Sequence, residues 1–203
     1  MKRIGIIDYG IGNINSVYNM ILKARGIPYI IKTPEELVES EIVILPGVGS
    51  YDNAVKRLKE KGFFNLLINH HNNNKPLLGI CLGFQLMFDS SEEGSLKGLG
   101  IITGKVCQFK KTENYKIMNM GWNKLDSQHK LFGSFDSNKF YYVHKYYAVP
   151  NNKKQVIGTS FHGVNFCAAT AVKNSIGVQF HPEKSHNYGL KFFEQFIKLY
   201  AIE

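Results

Sequence analysis

The sequence predicts an α/β fold, in which a mostly parallel central sheet is flanked by helices and carries a smaller, partly antiparallel extension. Three observations predict it. Short β-branched runs alternate with helical periodicity through the first half, as parallel strands joined by crossover helices do. A strand candidate runs directly into a glycine-flanked bend at Gly79-Ile80-Cys81-Leu82-Gly83. From about Ile101 onward the strand candidates are short and closely spaced, which suggests antiparallel pairing. At 203 residues the chain is long enough to bury one ordinary core, and a single domain over residues 1–203 is expected.

Residues 3–8 read as the first strand. Asn13 can cap a helix whose apolar residues Ile14, Val17, Tyr18, Ile21 and Leu22 recur at helical spacing, closed by Gly26 and Pro28. Thr33-Pro34-Glu35-Glu36 sets a cap, a first-turn proline and a capping-box glutamate in order, so a second short helix starts there. Residues 42–45 form the next strand, the turn Pro46-Gly47-Val48-Gly49 follows it, and Ala54, Val55 and Leu58 mark another helix. Residues 76–80 read as a buried strand and 84–88 as the helix after the bend. In the second half, residues 140–143, 155–157, 166–169 and 176–180 read as strands. Leu190, Phe193, Phe196, Ile197 and Tyr200 fall on one face of a terminal helix.

Hydrophobic residues at 44% and charged residues at 20% give the balance of a soluble globular chain, with no apolar run long enough to span a membrane. The apolar opening at residues 4–8 is too short for a signal-peptide core, so a cytoplasmic location is expected. Cys81, Cys107 and Cys167 are odd in number and lack metal-type spacing, which argues against a disulfide framework and a metal site. The net charge of +9 comes from dispersed lysines. It reads as solvated surface, with an acidic partner or a substrate phosphate as the open alternative. No nucleic-acid recognition motif accompanies it.

Three segments carry chemistry. Gly79-Ile80-Cys81-Leu82-Gly83 has the glycine spacing of a nucleophile elbow, where the helix that follows favours a thiolate at Cys81. A buried cysteine packed as a small hydrophobe fits this run equally well. In His181-Pro182-Glu183, residues two apart on an extended segment project to the same side, so Glu183 can orient His181 as general base and acid. A strand-end histidine beside a surface glutamate is the bland alternative. Pro46-Gly47-Val48-Gly49 can aim backbone N–H groups into a pocket as oxyanion donors or be a plain loop, and the amide of Leu82 is the natural second donor.

These motifs resemble the class I, or triad-type, glutamine amidotransferases over nearly the whole chain, and in particular the glutaminase subunits of imidazole glycerol phosphate synthases. Four blocks carry the resemblance: Ile7-Asp8-Tyr9-Gly10-Ile11-Gly12-Asn13; Leu45-Pro46-Gly47-Val48-Gly49; Gly79-Ile80-Cys81-Leu82-Gly83-Phe84-Gln85; and Gly177-Val178-Gln179-Phe180-His181-Pro182-Glu183-Lys184-Ser185. Met120-Gly121-Trp122-Asn123 and Tyr142-Val143-His144, with the first block, point to that subunit. The resemblance implies a Cys81–His181–Glu183 triad that hydrolyses L-glutamine through a thioester, with oxyanion donors at Val48, Gly49 and Leu82 and no cofactor. It implies that Gln85 and Glu93 hold the glutamine head group, helped by the backbone around His144, Lys145 and Tyr146. It further implies a heterodimer with a (β/α)₈ barrel cyclase of histidine biosynthesis, which receives the ammonia and makes imidazole glycerol phosphate and AICAR. Asn13, Tyr141 and Lys184 match positions facing that partner, and the Val48 peptide is expected to turn into the oxyanion hole only when the liganded partner is bound.

The sequence departs from the family pattern twice. Met118-Asn119 stands where Pro-His is usual, and Phe161-His162-Gly163 replaces a Tyr-Gly pair. Neither change falls on the triad. They leave open the same chemistry serving a surface-sugar amidine synthase; a non-catalytic docking subunit and a cysteine peptidase are further alternatives.

Overall fold

The computed structural model of the chain describes residues 2–133 and 139–201. The first half lays down β1 (Arg3–Ile7), α1 (Ile14–Lys23), β2 (Ile27–Ile31), α2 (Pro34–Glu39), β3 (Ile42–Leu45), α3 (Tyr51–Glu60), α4 (Phe63–Asn72) and β4 (Leu77–Ile80). A single helical turn, α5 (Leu82–Gln85), and β5 (Phe88–Ser91) follow. The second half adds β6 (Ile102–Gln108), β7 (Asn119–Lys124), β8 (Lys139–His144), β9 (Tyr146–Pro150), β10 (Val156–Phe161), β11 (Asn165–Val172), β12 (Ser175–Val178) and α6 (His186–Tyr200).

The main sheet runs β2-β1-β3-β4-β12-β11-β9-β6-β5, with β10 paired to β11. Its first five strands are parallel, β11, β9 and β6 join antiparallel, and β5 lies parallel to β6. β7 and β8 form a separate antiparallel pair. This is the mostly parallel sheet with a smaller, partly antiparallel extension that the sequence predicts. Alternation within the strands builds two cores, one on each face. Ile42 and Ile44 of β3 join α1 and α6 on one side, whereas Val43 and Leu45 join α3 and α4 on the other.

Thr33 caps α2 as expected, accepting from the Glu36 amide while the Glu36 carboxylate accepts from the Thr33 amide. Several expectations need correction. Pro28 does not merely close α1; it lies inside β2, which tolerates a proline because it is an edge strand. Asn13 stands at the N-cap of α1, but its side chain accepts from the Ser16 hydroxyl at 2.9 Å and makes no hydrogen bond to the helix backbone. The helix read at residues 84–88 is one turn of α5, after which Phe88 begins β5; a short apolar run does not reveal its own period. β2, α4, β5, β6, β7 and β9 had no counterpart in the sequence reading. On α6, Phe192 is buried as well as Phe193, Phe196 and Ile197, while Leu190 and Tyr200 lie at its margin.

Candidate active site

β4 and β12 are parallel neighbours, with Gly79 opposite Gly177 and Ile80 opposite Val178. The chain therefore leaves both strands side by side at their carboxyl ends, where open parallel sheets place their sites. The Cys81 amide donates to the Val178 carbonyl at 2.8 Å, and the chain then bends into α5. Cys81 sits at φ +54°, ψ −106°, a conformation that L residues rarely adopt and that persists only where the surroundings enforce it. Close backbone approach enforces it here. A Cβ on Gly83 would fall 1.9 Å from the Leu45 carbonyl oxygen, and one on Gly47 would fall 2.8 Å from the Gly83 nitrogen. The Pro46–Gly49 turn is thus pressed directly against the first turn of α5. Tyr9 fastens it from behind, its buried hydroxyl donating to the Pro46 carbonyl at 2.9 Å. Burial, then the charge of Cys81, raises the Tyr9 pKa and keeps that hydroxyl a donor.

β12 ends at Val178, short of the expected residue 180, and Pro182 opens a single 3-10 turn, Pro182–Lys184. Glu183 is therefore not on an extended segment with His181, because Pro182 has no N–H with which to continue a ladder. The turn still swings the carboxylate back: Glu183 Oε1 lies 2.8 Å from His181 Nδ1, and both side chains are 2% exposed. The His181 backbone is fixed at both ends. Its amide donates to the Tyr141 carbonyl at 2.9 Å, and its carbonyl accepts from the Ser185 hydroxyl at 2.6 Å. Ser185 in turn accepts from the Tyr141 amide at 3.0 Å.

Burial alone would lower the pKa of the His181 imidazole. The Cys81 sulfur, by its charge and then by hydrogen bonding, and the Glu183 carboxylate outweigh burial and lift it to about 10. His181 Nε2 is buried with no hydrogen bond of ordinary geometry, although the sulfur lies near enough to act on it. Nδ1 faces the carboxylate, so Nε2 is the nitrogen free to exchange a proton with Cys81. Cys107 and Cys167 are different in kind. Burial pushes the Cys167 thiol up to about 12, and burial with the Glu92 carboxylate raises Cys107.

A cavity of about 510 Å³ opens at this elbow. Cys81, His181, Val48, Gly49, Leu82, Gln85, Glu93, His144, Lys145, Tyr146 and Lys184 all border it, so the structure brings together nearly every site residue read from the sequence. Glu183 stands behind His181, while Asn13 and Tyr141 lie off the cavity. Tyr141 packs edge-on to the half-exposed Trp122, with ring centroids 6.2 Å apart. Glu93 has a second task, since its Oε2 accepts from the Tyr51 amide at 3.2 Å and so serves the N-terminus of α3. Burial, the leading influence, raises the Glu93 pKa. His144 donates from Nδ1 to the Tyr146 carbonyl at 2.7 Å and accepts from Asn119 Nδ2 at 2.9 Å. Burial lowers its pKa to about 3 and keeps it neutral, so it acts here as a strut for the Tyr146 backbone. Among the described residues, no cluster of histidine, cysteine or carboxylate side chains is arranged to hold a metal ion, and no helix is long and apolar enough to cross a membrane.

Four residues near the site had no role in the sequence reading: Tyr9, Met118, Gln179 and Ser185. Tyr9, Gln179 and Ser185 stand inside the quoted motifs, where a role was open to assignment. Met118 belongs to the first family departure and borders the same cavity as Cys81. The second departure supports it. His162 Nε2 donates to the Lys116 carbonyl at 2.8 Å, and the Tyr115 ring packs edge-on against Phe161 and His162 at 5.6 and 5.3 Å. The segment leading to Met118 is latched there to the β10–β11 hairpin.

The sequence pattern of the family described as "Glutamine amidotransferase class-I" matches residues 6–199. Imidazole glycerol phosphate synthase subunit HisH 2 of Methanococcus maripaludis is 45% identical over 199 residues, covering 96% of this chain and 98% of that protein. The HisH subunit of Sulfurimonas denitrificans is 43% identical over 201 residues, covering 96% and 97%. The solved structure of PurLQS from Thermotoga maritima superposes with a TM-score of 0.77 at 20% identity, covering 98% of this chain and 99% of that one, a likeness of fold. The chain belongs to the class-I glutamine amidotransferases and, within them, to the family of HisH subunits of imidazole glycerol phosphate synthase.

Proposed function

We propose that this chain is the glutaminase subunit of an imidazole glycerol phosphate synthase, acting as one domain over residues 1–203. One observation carries the proposal: Cys81 and His181 line one cavity and act on each other there, with Glu183 2.8 Å behind the imidazole. The Cys81 sulfur attacks the side-chain amide carbon of L-glutamine, and the amide oxygen takes up negative charge beside the Leu82 amide and the Val48-Gly49 turn. His181, protonated at Nε2, gives its proton to the departing nitrogen as the C–N bond breaks, leaving a thioester. Water then attacks the thioester, His181 takes its proton, and the C–S bond breaks to release glutamate. Gln85, Glu93 and the backbone at residues 144–146 hold the head group of the amino acid.

The partner is a (β/α)₈ barrel cyclase that receives the ammonia, and the heterodimer works in the cytoplasm. Two relatives more than 40% identical carry the subunit name, which supports this reading of the partner. Asn13, Tyr141 and Lys184 face the cyclase, and Val48, which is 41% exposed, is the part of the oxyanion turn that docking can move. Glutamate release is measured on the purified chain, with and without a liganded cyclase, for wild type and Cys81→Ala. The expected result is slow turnover alone, a large increase with the partner, and none in the variant. Equal rates with and without the partner refute the gating, and activity in Cys81→Ala refutes the site.

A further inference from the structure

Two carboxamides stand between the Tyr146 carbonyl and the Cys81 sulfur. Gln85 Nε2 lies 3.0 Å from Tyr146 O and 3.1 Å from Gln179 Oε1, and Gln179 Nε2 lies 3.8 Å from Cys81 Sγ. A carbonyl oxygen can only accept, so Gln85 must turn its NH₂ toward Tyr146. That NH₂ has a second hydrogen, and the group receiving it must be an oxygen, which sets the orientation of Gln179. What remains to face the sulfur is the Gln179 NH₂. Flipping either amide would set oxygen against oxygen or N–H against N–H inside a buried network, where an unmatched polar group is costly. Gln179 has no exposed surface, and Gln85 is 4% exposed. The Tyr146 oxygen is itself steadied by His144 Nδ1.

We infer that Gln179 is a positioning residue for the nucleophile, its amide N–H aimed by Gln85 and the Tyr146 carbonyl so as to hold the Cys81 sulfur in place as a thiolate. The inference rests on the reading of Cys81 as the attacking group. An N–H directed at an anionic acceptor favours the ionised form, because the neutral thiol is a much weaker acceptor. The need is local: α5 is a single turn, too short for its dipole to match that of a full helix. The chain of donors also reaches the substrate cavity, since Gln85 borders it. A glutamine that rearranges the hydrogen bonds of Gln85 is therefore felt at the sulfur.

The test is the pH dependence of Cys81 alkylation by iodoacetamide, followed by mass at that residue in the intact chain. Gln179→Met keeps the length and removes the N–H; its alkylation midpoint should rise by about one pH unit, so labelling below the midpoint is about tenfold slower. Gln179→Glu keeps the shape and the acceptor for Gln85 but sets a carboxylate against the sulfur, and its midpoint should rise at least as far. Gln85→Met leaves position 179 intact, frees Gln179 to turn, and should reproduce part of the shift, which guards against a position-179 variant that does not fold. Wild-type midpoints in folded variants of both residues would overturn the inference and leave the glutaminase reading standing. A wild-type Cys81 that alkylates no faster than Cys107 or Cys167 would overturn both.

Discussion

Glu183→Gln removes one charge and almost no volume, which makes it the sharpest probe of the proposed triad. In the wild type Oε1 accepts from His181 Nδ1 at 2.8 Å in a site where both side chains are 2% exposed. Hydrogen bonds to charged groups contribute about 1.5–3 kcal/mol, so losing this one at the stage where His181 is protonated slows the reaction by about 10- to 150-fold. The new amide adds a second effect. Glu183 Oε2 has no hydrogen-bond partner, so the glutamine can turn either end toward the imidazole. With its NH₂ facing Nδ1, the imidazole must carry its proton on Nε2 and is no longer a base for the thiol. The combined loss in kcat/KM is expected at the upper end of that range or beyond it. The pH profile should move as well. His181 is held up to about 10 partly by this carboxylate, so the alkaline limb of the activity, which marks loss of the imidazolium, shifts to lower pH in the variant. Steady-state glutamate release against pH gives both quantities, and a thermal melt within about 2 °C of wild type shows the fold intact. A folded variant within about threefold of wild type, with an unmoved alkaline limb, refutes the role assigned to Glu183.

A glutamine-like electrophile should add mass at Cys81 alone, because Cys107 and Cys167 are both held toward the thiol form; peptide mapping that finds the adduct elsewhere contradicts the site. Gly83→Ala places a methyl group 1.9 Å from the Leu45 carbonyl oxygen and should cost at least about 3 kcal/mol, read as a lower urea midpoint together with lost Cys81 labelling. Stability should also fall in acid. Burial holds His70 at about 4 and His144 at about 3, below the unfolded value near 6.5. The unfolded chain then binds more protons as pH drops, so the contribution of each is present above about 6.5 and lost toward its folded pKa. His70→Gln, which can still donate to the Pro76 carbonyl, should flatten that slope in urea melts at pH 7 and pH 4.5. His162→Ala removes the donor to the Lys116 carbonyl, worth about 1 kcal/mol, and should lower the melt by about 2–4 °C and raise KM for glutamine by a few fold; an unchanged KM would show that the latch does not shape the cavity.

Much of the parallel half was legible because its signals are local, although β2 and α4 escaped the reading. The capping box at Thr33, the β-branched run Ile42–Leu45 and the glycine spacing around Cys81 each state their own geometry. The extension was less so. Gly104 and Gly121 interrupt β6 and β7 at positive φ, and β9 follows β8 after the one intervening residue Lys145, so neither alternation nor turn spacing marks the boundaries. The residue types of the triad could be read from motifs, but their meeting could not. It depends on β12 pairing with β4, a contact between distant parts of the chain. Gln179 and Met118 were hidden for a related reason: one meets the Cys81 sulfur at the end of a hydrogen-bond chain, and the other borders the cavity on a loop pinned by a hairpin some forty positions later. Neither arrangement leaves a periodic trace.

The pairing of β4 with β12 also bears on how the protein comes into being. While a nascent chain leaves the ribosome, the Cys81 sulfhydryl emerges long before the imidazole proposed to activate it, and the last strand of the parallel set must insert between β4 and β11 before the two can meet. On the proposed mechanism, a half-made or prematurely stopped polypeptide carries the thiol without its base and should release no ammonia from glutamine. The same order of assembly makes the late insertion a slow, non-local folding step, so maturation of activity should lag behind acquisition of bulk secondary structure.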